Sequence, residues 1–291
     1  MAEYIVATAS TADLSSEFLE EHDVPFISYT YIMNNELFED DCREDTKSSV
    51  YEKMRSGALL TTSMINTYLY TEFFDKLMAR GKDVIYLDMS QKMSTSYRNV
   101  ITAAEQIRKK YPGRRFYNVD TRCVSGGLGL LVTKAIELRD AGKSFDETIE
   151  WIEKNKLKVI HRFTVDDLEY LKRGGRVSNA AALIGSKLSI KPVLYVPDDG
   201  SLKVGSKAHG RRTALNRILA SMKTDLTKPE GQTVLINHAD CMEDAEYMKS
   251  KVIEMFPTVR EVRITGLGVI IGAHCGPGML TVFYMGDNRH A

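Results

Sequence analysis

Residues 83–110 read DVIYLDMSQKMSTSYRNVITAAEQIRKK. The run Asp83 to Asp88 is short and apolar, as a strand buried on both faces should be, and Ser96 to Lys110 carries apolar residues at helical spacing. Between them, Ser90 to Ser96 is a loop crowded with hydroxyls. Strand, loop and helix in that order form one half of a parallel β–α–β unit. The same rhythm runs outward in both directions. Strands are expected at Tyr4 to Thr8, Pro25 to Ile32 and Arg114 to Val119. Helices are expected at Ser15 to Glu21, Ser48 to Ser56, Thr62 to Ala79 and Ser125 to Asp140, with a polar helix at Phe145 to Asn155. This alternation predicts a three-layer α/β/α domain over residues 1–158, its parallel sheet covered on both faces. Asn34-Asn35, set between extended residues, predicts a small hairpin insertion near 31–40 that decorates the domain.

From Val159 the pattern changes. Strands at Val159 to Phe163, Ser189 to Val196, Leu202 to Lys207, Thr233 to Asn237, Val259 to Thr265 and Leu280 to Tyr284 outnumber the helices between them. Pro197-Asp198-Asp199-Gly200 is a turn that joins two of these strands as an antiparallel pair. A mixed sheet is expected over 159–291, in a two-layer α/β domain whose helices lie at Val165 to Lys172, Asn179 to Lys187, Arg211 to Lys223 and Met242 to Phe256. Two domains imply two cores, and a ligand crevice at their junction.

Composition narrows the function. The 39 basic and 39 acidic residues cancel, so no long-range attraction draws a phosphate polymer, and nucleic-acid binding is not expected. No apolar run approaches the roughly eighteen residues needed to cross a bilayer, so an integral membrane protein is not expected, while transient membrane contact stays open. Cys42, Cys123, Cys241 and Cys275 lie far apart with no C-x-x-C pair, and no export signal precedes Tyr4. Both observations fit a reducing cytoplasm. The six histidines lack i, i+4 pairing, so no metal is expected; no G-x-x-x-x-G-K-S/T loop is present and Val132 takes the third glycine position after Gly127-Leu128-Gly129, so no cofactor is expected either.

Three segments carry candidate chemistry. Thr61-Thr62-Ser63 precedes a long apolar-periodic helix and Ser90 to Ser96 precedes the next one. Each places hydroxyls and free N–H groups at a helix start, where they cap the helix or hold an anion. In an open α/β sheet, loops at the carboxyl ends of the strands line the ligand crevice, which would bring these two loops together. The segment Gly266 to Gly278 surrounds His274 with glycines and reads as a loop whose backbone approaches something closely. Ser94 and His274 could also serve as nucleophile and base of a lipid or ester hydrolase, although no acidic orienter accompanies them. Arg173 and Arg176 at a helix end, with Lys207, Arg211 and Arg212 further on, either balance a helix dipole or offer a docking surface to an acidic partner.

Several motifs in register give the chain a resemblance. Ile5-Val6-Ala7-Thr8-Ala9-Ser10-Thr11-Ala12-Asp13-Leu14 looks like a V-T-D-S-T-A-D-L signature. Thr61-Thr62-Ser63 stands where T-S-Q-P-S is usual, and Ser90-Gln91-Lys92-Met93-Ser94-Thr95-Ser96-Tyr97 where S-S-G-L-S-G-T-Y is. Asp120 to Gly129, Leu171 to Ser178, Lys191 to Leu194 and Ile271 to Gly278 follow in the same order. Over nearly its whole length the sequence resembles the DegV family of bacterial fatty-acid-binding proteins. Ala9, Met64-Ile65-Asn66 and Thr95 depart from the family pattern.

The resemblance implies a carrier rather than an enzyme, with no catalytic residues of its own. It would hold one long-chain fatty acid, its carboxylate at Thr62 and Ser94, with Ser63 or Thr95 as auxiliaries and His274 approaching from the second domain. It further implies a separate fatty-acid kinase as partner, contacted through Arg173, Arg176 and the Lys207 to Arg212 segment. Phe26, Ile27 and Leu183 are positional candidates for the tail pocket.

Overall fold

The computed structural model describes residues 4–177 and 190–289 of the chain. The expected helix at Asn179 to Lys187, with Leu183, lies outside the described residues.

Four strands form a parallel sheet: β1 (Tyr4–Ala9), β2 (Phe26–Ile27), β6 (Asp83–Asp88) and β7 (Phe116–Asp120), in the order β2-β1-β6-β7. The chain leaves β1 to one side for β2 and returns on the other side for β6, so the sheet order reverses at β1, where a crevice opens at the strands' carboxyl ends. Helices α3 (Thr67–Met78) and α4 (Ser96–Lys110) pack together and against β6 and β7. Helices α5 (Gly126–Asp140) and α6 (Phe145–Asn155) pack together and against β1 and β6. The short α1 (Ser16–Glu21) and α2 (Glu44–Arg55) complete this part. The α/β/α layering expected from the alternation is borne out.

The hairpin is more than decoration. Strands β3 (Thr30–Met33) and β4 (Glu36–Glu39) meet at Asn34-Asn35, both with positive φ as a tight two-residue turn requires, and β5 (Leu60–Ser63) pairs antiparallel with the other edge of β3. Thr61-Thr62-Ser63 therefore lies in a strand and not at a helix start. Its β-branched residues suit the pleat. Helix α3 begins at Thr67, where Asn66 Oδ1 accepts the Leu69 N–H at 3.0 Å as N-cap.

The second sheet has six strands: β8 (Val159–Thr164), β9 (Ile190–Tyr195), β10 (Lys203–His209), β11 (Thr233–His238), β12 (Glu261–Gly266) and β13 (Leu280–Met285), in the order β10-β9-β8-β13-β11-β12. All its pairings are antiparallel except β11 with β12, so it is mixed, as expected. Helices α8 (Arg211–Asp225) and α9 (Met242–Met255) cover one face, burying Ile160, Val193, Ile236 and Val282 in a core of their own. The other face, with Phe163 and Leu194, belongs to the same apolar cluster as the parallel sheet.

Helix α5 makes that continuity possible, because it touches β1 and β6 on one side and β8, β11 and β13 on the other. The parts of the helix held between the two sheets are apolar, and Leu128, Leu131, Val132 and Ala135 are all fully buried. At Gly127 a Cβ would strike the His161 ring, so only glycine admits the second sheet this close.

Candidate functional site

Three segments converge at the carboxyl ends of the parallel strands. Strand β5 brings Thr62 and Ser63, the loop after β6 brings Met89 to Thr95, and α10 (Val269–Cys275) brings Ile270, Ile271, His274 and Cys275. Arg176, beyond α7 (Leu168–Arg173), lies beside them. Together they surround a cavity of about 710 Å³, counting the part open to solvent. Thr62, Ser63, Ser94, Thr95 and His274 supply polar atoms to it, while Met64, Met89, Met93, Val124, Leu171, Leu202, Ile270 and Ile271 supply apolar surface. Phe26 and Ile27 do not line it. Ile27 is part of the apolar core and Phe26 packs, partly buried, against it on the edge strand β2.

The glycine pattern predicts a loop over Gly266 to Gly278, and in the structure Val269–Cys275 within it is a helix. The glycines do bring surfaces close, as expected, but from within the helix: a Cβ at Gly272 would strike the buried Tyr51 hydroxyl, which donates to Leu267 O at 3.0 Å. Without that contact α10 could not sit deep enough to carry His274 to the cavity.

His274 Nε2 lies 2.9 Å from Thr62 Oγ1. Burial, aided by the nearby Arg176 guanidinium, pulls the imidazole down to about 4, so the ring is neutral at pH 7, with one nitrogen a donor and the other an acceptor. Ser94 Oγ accepts the Ser96 N–H at 3.2 Å and meets the Tyr29 hydroxyl at 3.5 Å. Thr95 donates to Met64 Sδ at 3.2 Å. Tyr29 is a lining residue that sequence reading missed; it sits in the gap between β2 and β3, and nothing in its local pattern separates it from the neighbouring core aromatics. Cys275 also lines the cavity, and burial pushes its thiol up to about 12, so it stays protonated.

A second hollow lies against the first. Leu59, Thr61, Tyr170, Arg173 and Gly174 line it, and it shares Thr62, Arg176 and His274 with the inner cavity. The Thr62–His274 pair thus stands between an inner, largely apolar space and an outer, cationic one. Arg176 is tied across the boundary by bonds to Met93 O, at 3.3 Å, and to Gly174 O. The Arg173 guanidinium lies 4.5 Å from the Tyr170 ring centre. Of the other basic candidates, Arg211 is committed to Asp244 at 2.8 Å and Asp166 at 3.6 Å, Arg212 covers the Tyr247 ring at 3.6 Å, and Lys207 is exposed on β10. Among the described residues, no group of three or more His, Cys, Asp or Glu side chains could hold a metal ion, and no helix is long and apolar enough to cross a membrane.

Fold and site define a class: an α/β protein with a parallel and a mixed sheet and a cavity lined by hydroxyls, an imidazole and apolar side chains. The chain belongs to the DegV family, whose family model, described as "Uncharacterised protein, DegV family", matches residues 4–287. A DegV domain-containing protein of Clostridium perfringens is 39% identical over 290 residues, covering 99% of each chain. Among solved structures, a DegV family protein from Thermus thermophilus described by its fatty-acid binding superposes with a TM-score of 0.88, at 26% identity, over 98% of this chain and 99% of that one. Another, DegV of Bacillus subtilis, described as a fatty acid binding protein, gives 0.85 at 27% identity over 99% and 100%.

Proposed function

We propose that this protein binds one long-chain fatty acid, its carboxyl group at Thr62, Ser63, Ser94, Thr95 and His274 and its acyl tail along Met89, Met93, Val124, Leu171 and Ile271. The observation that carries this reading is a cavity whose lining joins two hydroxyl-bearing segments and a neutral imidazole to an apolar surface. The fatty-acid-binding relatives from Thermus thermophilus and Bacillus subtilis support it. Burying about fourteen methylenes at ~0.8 kcal/mol each amounts to on the order of 11 kcal/mol of gross driving force, so the tail supplies most of the binding. The hydroxyls orient the head group and replace part of its hydration.

The role is that of a carrier that presents the acid to a separate ATP-dependent kinase, for phosphorylation at the carboxylate. The outer hollow supports this, since a phosphate-bearing partner would meet Arg173 and Arg176 next to the head group. Hydrolysis by Ser94 and His274 is less well supported, because the hydrogen bond of His274 runs to Thr62 while Ser94 engages Tyr29 and Ser96. The four free cysteines suit a cytoplasmic carrier. Native mass spectrometry of the purified chain tests the reading: the expected spectrum shows one added mass in the range of a long-chain fatty acid, and a folded protein that stays empty when offered such acids would sink it.

A further inference from the structure

A line of buried hydroxyls leaves the cavity through Ser94. Its Oγ lies 3.5 Å from the Tyr29 hydroxyl, which lies 3.4 Å from the Tyr70 hydroxyl, which in turn lies 3.2 Å from Asp88 Oδ2. Tyr86 donates to the same oxygen at 3.1 Å, and Asp88 Oδ1 accepts the Met89 N–H at 2.7 Å. Tyr29, Tyr70, Tyr86 and Asp88 are each at most 3% exposed. The titratable groups that face Asp88 are Tyr29 from the segment after β2, Tyr70 from α3, Tyr86 from its own strand, Tyr97 from α4 and Asp120 paired with it on β7. All five are acids, so none offers Asp88 a positive charge. Burial raises its carboxyl to about 6.

Such a chain has a direction, because each hydroxyl has one proton to donate. With Asp88 ionised, Tyr70 donates to it, Tyr29 to Tyr70 and Ser94 to Tyr29, and Ser94 turns a lone pair towards the cavity. With Asp88 protonated, every bond reverses and Ser94 offers its proton to the cavity. A ligand carboxylate calls for the second arrangement and a neutral carboxylic acid for the first.

We propose that Asp88 and the carboxyl group of the bound fatty acid share one proton through Tyr70, Tyr29 and Ser94. The inference rests on the fatty-acid reading of the cavity. In the transfer, the O–H bond of Asp88 breaks, an O–H bond to the ligand carboxylate forms, and each of the three hydroxyls gives one proton and receives another, so the net charge of the site is unchanged. The 3.4 and 3.5 Å contacts are long for hydroxyl pairs, whose usual separation is about 2.7–2.8 Å, and each needs to tighten by about 0.6–0.8 Å when the ligand seats. The arrangement serves a carrier at both ends of its task. The ionised head group is the nucleophile towards a phosphoryl donor, and the neutral acid is the form that leaves for an apolar phase at least cost.

Protein loaded with carboxyl-13C palmitic acid and titrated from acid to alkaline pH by 13C NMR tests this. In the parent chain the bound carboxyl resonance is expected to move in two steps. In Asp88→Asn a single step should remain, its midpoint lower by about one pH unit because a neighbouring carboxylate is gone. Tyr29→Phe, which leaves Asp88 in place, should also reduce the two steps to one. A change in Asp88→Asn with a parent-like curve in Tyr29→Phe would show an electrostatic field and not a shared proton, and would overturn the inference; parent-like curves in both variants would do the same while leaving the cavity reading intact. Should Asp88→Asn fail to fold, Tyr29→Phe decides alone, since it removes one oxygen and keeps the ring. A parent chain that shows no bound carboxyl resonance overturns the cavity reading and this inference together.

Discussion

Ser94 and Gly272 show how differently single residues act on this site. Ser94→Ala takes one hydroxyl from the proposed head-group site and leaves the apolar lining whole. On the proposed carrier reading, the variant should still co-purify with fatty acid, while phosphorylation of the bound acid by the proposed kinase falls about tenfold, the equivalent of ~1.4 kcal/mol of lost hydrogen bonding. Mass spectrometry and a phosphorylation assay on the same preparation check both halves, and an empty, well-folded variant would contradict this division of labour. Gly272→Ala touches no ligand, yet its Cβ would drive against the Tyr51 hydroxyl and push α10 outward. Overpacking of this kind costs about 1–3 kcal/mol, so its urea midpoint should fall measurably. A midpoint equal to the parent's would mean that Tyr51 yields without cost.

Among the elements, β5 has the most consequence for function, because it makes Thr62 part of a sheet edge facing the cavity and not a helix cap. The capping role passes to Asn66. Asn66→Ala should therefore destabilise the protein by about 1 kcal/mol, the usual worth of an N-cap, and the exposed Thr61→Ala by a few tenths. Chemical denaturation of both variants distinguishes them; a larger loss at Thr61 would return the helix start to that segment. The α10 helix illustrates a second point. Its glycines served as loop signals in the sequence, and in the structure they are the places where a helix is pressed against Tyr51 and Asp13.

At the scale of the whole molecule, the apolar cluster that runs from the parallel sheet through α5 to one face of the mixed sheet makes the two halves depend on each other. We propose a boundary at 158/159, with a second unit that does not stand alone. A fragment covering 159–291 would expose Phe163 and Leu194, and is expected to aggregate or bind a hydrophobic dye; a monomeric, cooperatively unfolding fragment would refute the dependence. The buried acids bear on stability as well. Burial raises Asp13 to about 7 and Asp40 and Asp88 to about 6, each above the 3.8 of the unfolded chain, so their contribution is complete at acid pH and is lost as pH rises through 6 to 7. His274 runs the other way: held near 4 against 6.5 unfolded, its contribution is present above 6.5 and is lost as pH falls towards 4. Asp13→Asn should therefore flatten the loss of stability between pH 6 and 8 by roughly 1 kcal/mol or more. Urea unfolding at the two pH values measures it, and an unchanged slope would clear Asp13 of any part.

Much of this was written in the chain itself. Strand β6 and helices α4 and α6 begin and end where the apolar pattern does, because parallel strands buried on both faces and amphipathic helices imprint their periods on local sequence. Family membership was legible for a related reason: hydroxyl and glycine motifs keep their order along the chain wherever they end up in space. What local sequence could not carry was any choice made by a distant partner. Thr61 to Ser63 became a strand because β3, some thirty residues earlier, offered an open edge. Val269 to Cys275 became a helix because Tyr51 and Asp13 wait beneath it. Tyr29 joined the site because Ser94 and Tyr70 come to it from two other elements. Hydrophobic period is a property of neighbours in sequence, whereas edge pairing, close approach and buried hydrogen bonding are properties of neighbours in space, and only the folded chain brings those together.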